Sequence, residues 1–218
     1  MEMLKDDNSS QIDRQKLPAR ILLLLVGLAV HTLGIALITR AALGTTPIST
    51  LPLTLSGVFG VTLGTTTFVV NIFFFLSQIA MLRDRFERRQ WLQLPSVILF
   101  SAMIDGWMAA LAGIPIGGTW AAWPASLSAN LVIAVGILMQ LKSKLILQPI
   151  DGAVLAAAIV TGKPFASVKI ANDVGCVIAA AIIGIICLGS FYGIGAGTLV
   201  SAFAVGWLIK LLKPYVMA

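Results

Sequence analysis

The sequence predicts an all-α membrane protein with six transmembrane helices, arranged as two inverted three-helix repeats, each with a short broken helix after its first span. Three observations carry this. The 218 residues are 58% hydrophobic and 11% charged, and the charges border long uncharged runs, the pattern of a chain that presents most of its surface to hydrocarbon. The stretch 34–48 recurs at 136–150, with Gly34, Ile35, Leu43, Pro47 and Ile48 matching Gly136, Ile137, Leu145, Pro149 and Ile150, and Arg40 opposite Lys142. The match continues with Gly60 on Gly162 and Asn71 on Asp173. Two residues are then dropped in a connecting loop, and Ser101, Gly106 and Trp107 fall on Ser201, Gly206 and Trp207. Finally, thirteen of the fifteen Lys and Arg residues sort to one side of the threaded chain, which sets orientation in a bilayer.

Taken in order, residues 1–18 are polar and of mixed charge, with no apolar periodicity to bury, and read as a disordered cytoplasmic tail. The first repeat covers residues 19–115. Its opening apolar run, 21–39, is too long for the core of a cleaved signal and reads as an uncleaved first span. The segment 41–60 is interrupted by Pro47, Pro52 and several hydroxyls. It is too broken to cross, so a short helix beginning near Pro47 with Thr46 as N-cap fits it. Residues 61–82 form the second span, ending at the charge cluster Arg83, Asp84, Arg85, Phe86, Glu87, Arg88, Arg89. Residues 91–113 form the third, followed by an uncharged turn with Trp120 and Trp123 at headgroup level.

The second repeat, residues 124–213, follows the same plan in a single membrane domain. A span at 124–141 leads to Lys142 and Lys144, a short helix runs from Pro149 to about Thr161, and spans at 165–188 and 194–212 complete it. Three spans per half is an odd number, so the second half enters the membrane upside down relative to the first. With both termini cytoplasmic, Arg40 alone falls outside and Lys169 lies within a span. Cys176 and Cys187 lie eleven residues apart on one helix, about 16 Å at 1.5 Å per residue, too far for a disulfide.

The stretch Arg40, Ala41, Ala42, Leu43, Gly44, Thr45, Thr46, Pro47, continuing to Gly60, Gly64 and Thr65, resembles the YczE/YyaS/YitT family of bacterial membrane proteins. Members of that family carry a basic residue, a Leu-Gly and a proline-led short segment after the first span. The resemblance covers residues 20–213 and implies the fold and a bacterial cell (inner) membrane location. Proteins of this family often read Pro-Trp-Asp after the glycine. Here the copies read Pro47, Ile48, Ser49 and Pro149, Ile150, Asp151, so the resemblance speaks to fold more than to activity.

Ionisable side chains within spans cost about 2.5–3.5 kcal/mol each near a helix centre on insertion scales, so each one calls for a reason. His31, Asp105, Lys169 and Asp173 qualify. Asp173 lies about 12 Å into a core of roughly 30 Å, and its counterpart Asn71 enters to a similar depth from the other side. Both are candidates for a site near the pseudo-twofold axis, or for interhelical hydrogen bonding. Lys169, four residues earlier on the same face, can neutralise Asp173. Asp105 has Val205 as its counterpart and so stands without a symmetry partner, and a structural hydrogen bond is its plainer reading beside a titrating role. Asp173, Asp105 and Lys169 form the candidate proton- or ion-coupling set. His31 has no metal-ligand spacing to another residue and reads as a buried, hydrogen-bonded histidine. Arg40 and Lys142 each precede a half-helix N-terminus, a natural anion site. Together with Thr46, Asn71, Asp151 and Asp173 they form the candidate solute-binding set, while interface anchoring is the plainer reading of the two cations.

No HExxH, Ser-His-acid set or paired carboxylates at a water boundary is present, which argues against an enzyme, and no catalytic residue, metal site or cofactor is expected. The expected function is a secondary transporter or facilitator of a small anionic or zwitterionic solute. The alternatives are a substrate-binding membrane subunit of a multi-component uptake system and a non-transporting membrane scaffold. The lipid bilayer and a small solute are the expected partners, with a homo-oligomer or an energising module as further ones, and nucleic acid is not among them.

Overall fold

The computed structural model describes residues 17–116 and 120–217, and the described residues form helices and turns without a strand. The helices are α1 (Leu17–Ala41), α2 (Pro47–Phe59), α3 (Leu63–Leu82), α4 (Gln93–Ala110), α5 (Ala122–Ser143), α6 (Pro149–Thr161), α7 (Phe165–Leu188) and α8 (Ala196–Met217). Six of these segments are long and apolar enough to cross a membrane, and α2 and α6 are the shorter apolar helices expected between them. The architecture is that of a multi-pass helical membrane protein. Most of the expected tail and the centre of the turn after α4 lie outside the described residues. Of that tail, Leu17 and Pro18 belong to α1, since a proline in a first turn forfeits no hydrogen bond. The helix before α4 tightens into a 3₁₀ turn at Arg88–Leu92, so α4 starts later than the hydropathy pattern alone suggests.

The two short helices owe their limits to local chemistry. Each has proline at its first position, where the missing N–H would have no acceptor, after Thr46 and Gln148 in extended conformation. Each stops at a glycine in the left-handed region, Gly60 at φ 65° and Gly162 at φ 68°, a conformation that a Cβ disfavours. Thr46 is the N-cap of α2 by position, but its hydroxyl bonds Ser49 Oγ at 2.8 Å instead of a backbone amide.

Helices α1 and α5 cross antiparallel at the centre. Gly27 lies against Gln140, Gly34 against Ile133 and Ala129, and Gly136 against His31, so one sequence rises as the other falls. Around this pair, α4 packs on α1 and α8 on α5, α2 on α7 and α6 on α3, and α3 lies along α4, whereas no comparable packing joins α7 to α8. The apolar core follows the crossing: Leu24, Leu28, Ile35 and Ile38 of α1 meet Ala129 and Ile133 of α5, with Leu63, Phe100 and Ile104 from α3 and α4.

The two ends of the bundle differ in charge. At one end Arg20 donates to the Ser143 and Lys144 carbonyls, Arg89 also donates to Lys144 O, and Lys142 donates to Val216 O. The segment between α3 and α4, with Arg83, Arg85 and Arg88, lies at this end. At the other end the Thr45 amide donates to Gly193 O at 3.0 Å and Arg40 is the one Lys or Arg among the described residues.

The glycine crossing leads to a direct expectation. A Cβ on Gly136 would lie 2.5 Å from the His31 backbone nitrogen, while one on Gly106 would meet open space. Gly136→Val should lower stability by about 1–3 kcal/mol, the usual range for overpacking, and Gly106→Val should not. The thermal unfolding midpoints of the two variants in detergent check this.

Candidate functional site

Three charged side chains gather where α6 meets α7. Lys169 Nζ lies 2.9 Å from Asp173 Oδ1 and 3.3 Å from Asp151 Oδ1, and about a quarter to a third of each side chain is exposed. The Lys169–Asp173 contact follows from their spacing of four on one helix. The Asp151 contact is tertiary. The turn at Gly162 joins α6 to α7, and Asp151 in the first turn of the short helix meets Lys169 in the second turn of the long one. Two carboxylates and one ammonium leave this triad with one negative charge in surplus, beside which a proton or a cationic group is stabilised.

A second polar chain runs into the same place from the central crossing. Gln140 Nε2 lies 3.0 Å from His31 Nδ1 and is also within reach of the Gly27 and Gly136 carbonyls, at 3.3 and 3.2 Å. Gln148 Nε2 donates to Gln140 Oε1 at 3.2 Å. Gln148 is also the residue that precedes α6, three positions before Asp151. Hydrogen bonds therefore run from His31, at the centre of α1, to the start of the short helix. The His31 ring stands edge-on to Phe100 with centroids 5.2 Å apart, and is buried.

The positions 102 residues before Asp151, Lys169 and Asp173 are Ser49, Thr67 and Asn71, all three buried and none charged. Asn71 donates to Thr67 O at 2.9 Å and its Oδ1 has no partner. The charged trio at α6 and α7 thus has neutral polar residues 102 positions before it in the sequence.

The remaining predicted residues lie elsewhere and are engaged in other ways. Arg40 donates to the Ala112 and Ile114 carbonyls at 2.7 and 3.0 Å. Lys142 donates to Val216 O at 2.7 Å. Lys142 therefore sits on a carbonyl in the last turn of α8, where positive charge offsets the macrodipole, and Arg40 on carbonyls of the turn that follows α4. Asp105 Oδ1 accepts from the Gly64 amide at 2.7 Å and Oδ2 from the Thr62 hydroxyl at 2.6 Å, so this acid holds the N-terminus of α3 against α4. In the second half the corresponding residues are Val205, Pro164 and Ala166, which offer no such bond.

Among the described residues no group of three or more His, Cys, Asp or Glu is placed to hold a metal ion. Sequence reasoning passed over Gln78, Gln140 and Gln148. A glutamine within an apolar stretch carries a desolvation penalty of the same kind as a charge, though smaller, and that signal was there to use.

The triad makes Lys169 the central member. Lys169→Met would leave two carboxylates facing each other without a counter-ion and should sharply reduce the yield of folded protein. Asp173→Asn should be tolerated, because Asp151 still pairs with the lysine. The triple variant Lys169→Met, Asp151→Asn, Asp173→Asn should recover folding, since removing all partners of a buried ion pair is far milder than removing one. Fluorescence-detected size exclusion of the membrane extracts reads all three.

No curated protein and no solved structure matches the chain. A family model does match, over residues 18–214, a span that takes in α2 to α7 whole, all but the outer ends of α1 and α8, and the triad. The chain belongs to that family, described as a family of unknown function, DUF6198.

Proposed function

We propose that the protein is a secondary transporter or facilitator of a small zwitterionic or anionic solute, built from two inverted repeats in a bacterial cell (inner) membrane with both termini cytoplasmic. The observation that carries the reading is the Asp151–Lys169–Asp173 triad, a partly exposed cluster of three charges between two predominantly apolar helices. Charge at that position is expensive, and in membrane proteins it marks solute and ion pathways. The surplus carboxylate, together with the engagement of Arg40 and Lys142 by backbone carbonyls, favours a zwitterion over a plain anion. It also makes Asp173 the candidate proton carrier. No cofactor and no catalytic step enters this reading.

The inverted-repeat part draws support from pairs of equivalent contacts. Arg40 reaches Ile114, and Lys142 reaches Val216, across the same separation of 74 residues. The packing of α2 on α7 is answered by α6 on α3, and that of α1 on α4 by α5 on α8. Orientation rests on the concentration of basic residues at the end holding Arg20 and Arg89, which the positive-inside rule assigns to the cytoplasm. The likeness to YczE/YyaS/YitT proteins, carried by the residues from Arg40 to Pro47 and the glycines after them, implies a bacterial membrane location. A second reading, a membrane subunit that docks on an energising partner, is favoured by α8, which is packed mainly on α5 and exposes Phe203, Trp207 and Tyr215.

Two measurements test the proposal. In a variant lacking Cys176 and Cys187, an impermeant thiol reagent added outside cells should label Gly113→Cys and spare Glu87→Cys; the opposite pattern overturns the orientation. In proteoliposomes, Asp173→Asn should abolish pH-driven accumulation of a transported solute and leave downhill exchange intact. Undiminished pH-driven uptake by that variant removes Asp173 as the proton carrier.

A further inference from the structure

Two buried carboxamide oxygens, from residues that border the first turn of α6, have no donor to accept from. Gln78 of α3 is 2% exposed and its Oε1 has no hydrogen-bond partner. It presses on Gly152, where a Cβ would come within 2.7 Å of that oxygen. Gln148 is 9% exposed, and its Oε1 is likewise without a partner. Gln148 is the residue immediately before α6, and its backbone carbonyl accepts from the Gly152 amide at 2.8 Å, so both glutamines border the first turn of that helix. Asp151 is the neighbouring residue, with Lys169 and Asp173 behind it. A buried carbonyl oxygen left without a donor is destabilising, and natural proteins retain such groups where a ligand or water supplies the missing N–H or O–H.

The donors complement these acceptors. The first amides of α6 have no side-chain cap, and a helix N-terminus favours negative charge. Lys169 spends two of its three N–H bonds on Asp151 and Asp173. The first turn of α6 is thus bordered by unsatisfied acceptors, by a surplus carboxylate and by free donors.

We infer that the N-terminal end of α6 recognises a small zwitterion through an ammonium group that still carries N–H bonds. The ammonium donates to Gln78 Oε1 and Gln148 Oε1 and is held by the surplus charge of the triad. The carboxylate of the same molecule takes the uncapped amides of α6 and the third N–H of Lys169. Gly152 is glycine because a side chain there would displace the Gln78 carboxamide. A quaternary ammonium leaves both glutamine oxygens unsatisfied, and a carboxylate without an amine leaves them and the surplus charge unanswered. This rests on the reading of the protein as a handler of small solutes, which it narrows to one chemical class.

The test is binding to the purified full-length protein in detergent at constant ionic strength, followed by thermal shift and calorimetry. The probes are glycine, β-alanine and γ-aminobutyrate, set against N,N,N-trimethylglycine, propionate and sodium chloride. At least one amino acid should give a saturable stabilisation that trimethylglycine, propionate and sodium chloride do not. Gln78→Leu should weaken binding of that amino acid about tenfold or more without lowering the ligand-free midpoint. Gly152→Ala, which keeps every polar group and only fills the cradle, should do the same if Gln78→Leu misfolds. Equal binding of trimethylglycine or propionate, an equal response to sodium chloride, no response to any amino acid, or wild-type affinity in both variants overturns the inference. Uptake into vesicles separates the two levels. Amino-acid binding without uptake leaves the site and removes transport, whereas uptake of propionate equal to that of the amino acid leaves transport and removes the site.

Discussion

The close approach of α1 and α5 is the constraint on which the rest of the bundle depends. Lipid chains are as apolar as a leucine-rich helix face, so helices in a membrane associate through close packing and interhelical hydrogen bonds. Here Gly27 and Gly34 of one helix and Gly136 of the other remove the side chains that would hold the backbones apart. The crossing brings His31 beside Gln140 and, through Gln148, fixes where the short helix α6 begins. A wider crossing would separate Gln140 from His31 and release the N-terminal end of α6 from the centre of the molecule.

Much of this fold was legible in the sequence because its signals are local. Pro47 and Pro149 mark where the short helices start, Gly60 and Gly162 where they stop, and each acts within a residue or two of itself. The pairing of Lys169 with Asp173 follows from helical spacing alone. The membership of Asp151 in the same cluster did not, since it depends on how the turn at Gly162 places one helix against the next. The roles of Arg40 and Lys142 were hidden for the same reason. Their carbonyl partners lie more than seventy residues away, and a basic residue ahead of a half-helix looks alike whether it holds an anion or caps a neighbouring helix. Asp105 was legible as an acid without a symmetry partner, but not as the clamp on the α3 N-terminus. His31 was read as a buried, hydrogen-bonded histidine, and the structure shows it in that setting.

The bookkeeping of charge inside the bundle separates structural ions from available ones. Lys142 and Asp105 each face the end of a helix whose partial charge they oppose, Arg40 faces the turn that follows one, and in each case the hydrogen bonds are made by the protein itself. The triad differs. Its carboxylates outnumber its ammonium, it lies beside orphaned carboxamide oxygens, and its members remain partly open. The residues 102 positions earlier, Ser49, Thr67 and Asn71, are buried and uncharged, so the charge is concentrated where α6 meets α7.

The clamp by Asp105 also divides the molecule mechanically. Where α3 and α4 are tied through Thr62 and Gly64, the first half is a braced pair of helices. The second half has no such tie. Helix α8 is anchored near its start by the Gly197 amide on Leu43 O, near its end by Lys142 on Val216 O, and otherwise along α5. Between those ends no side-chain hydrogen bond ties α8 to another helix among the described residues, so its middle can bend whereas the α3–α4 pair is held, and helix adjustment of this kind accommodates hydrophobic mismatch. A change in bilayer thickness should therefore move the middle of α8 before it moves the braced pair.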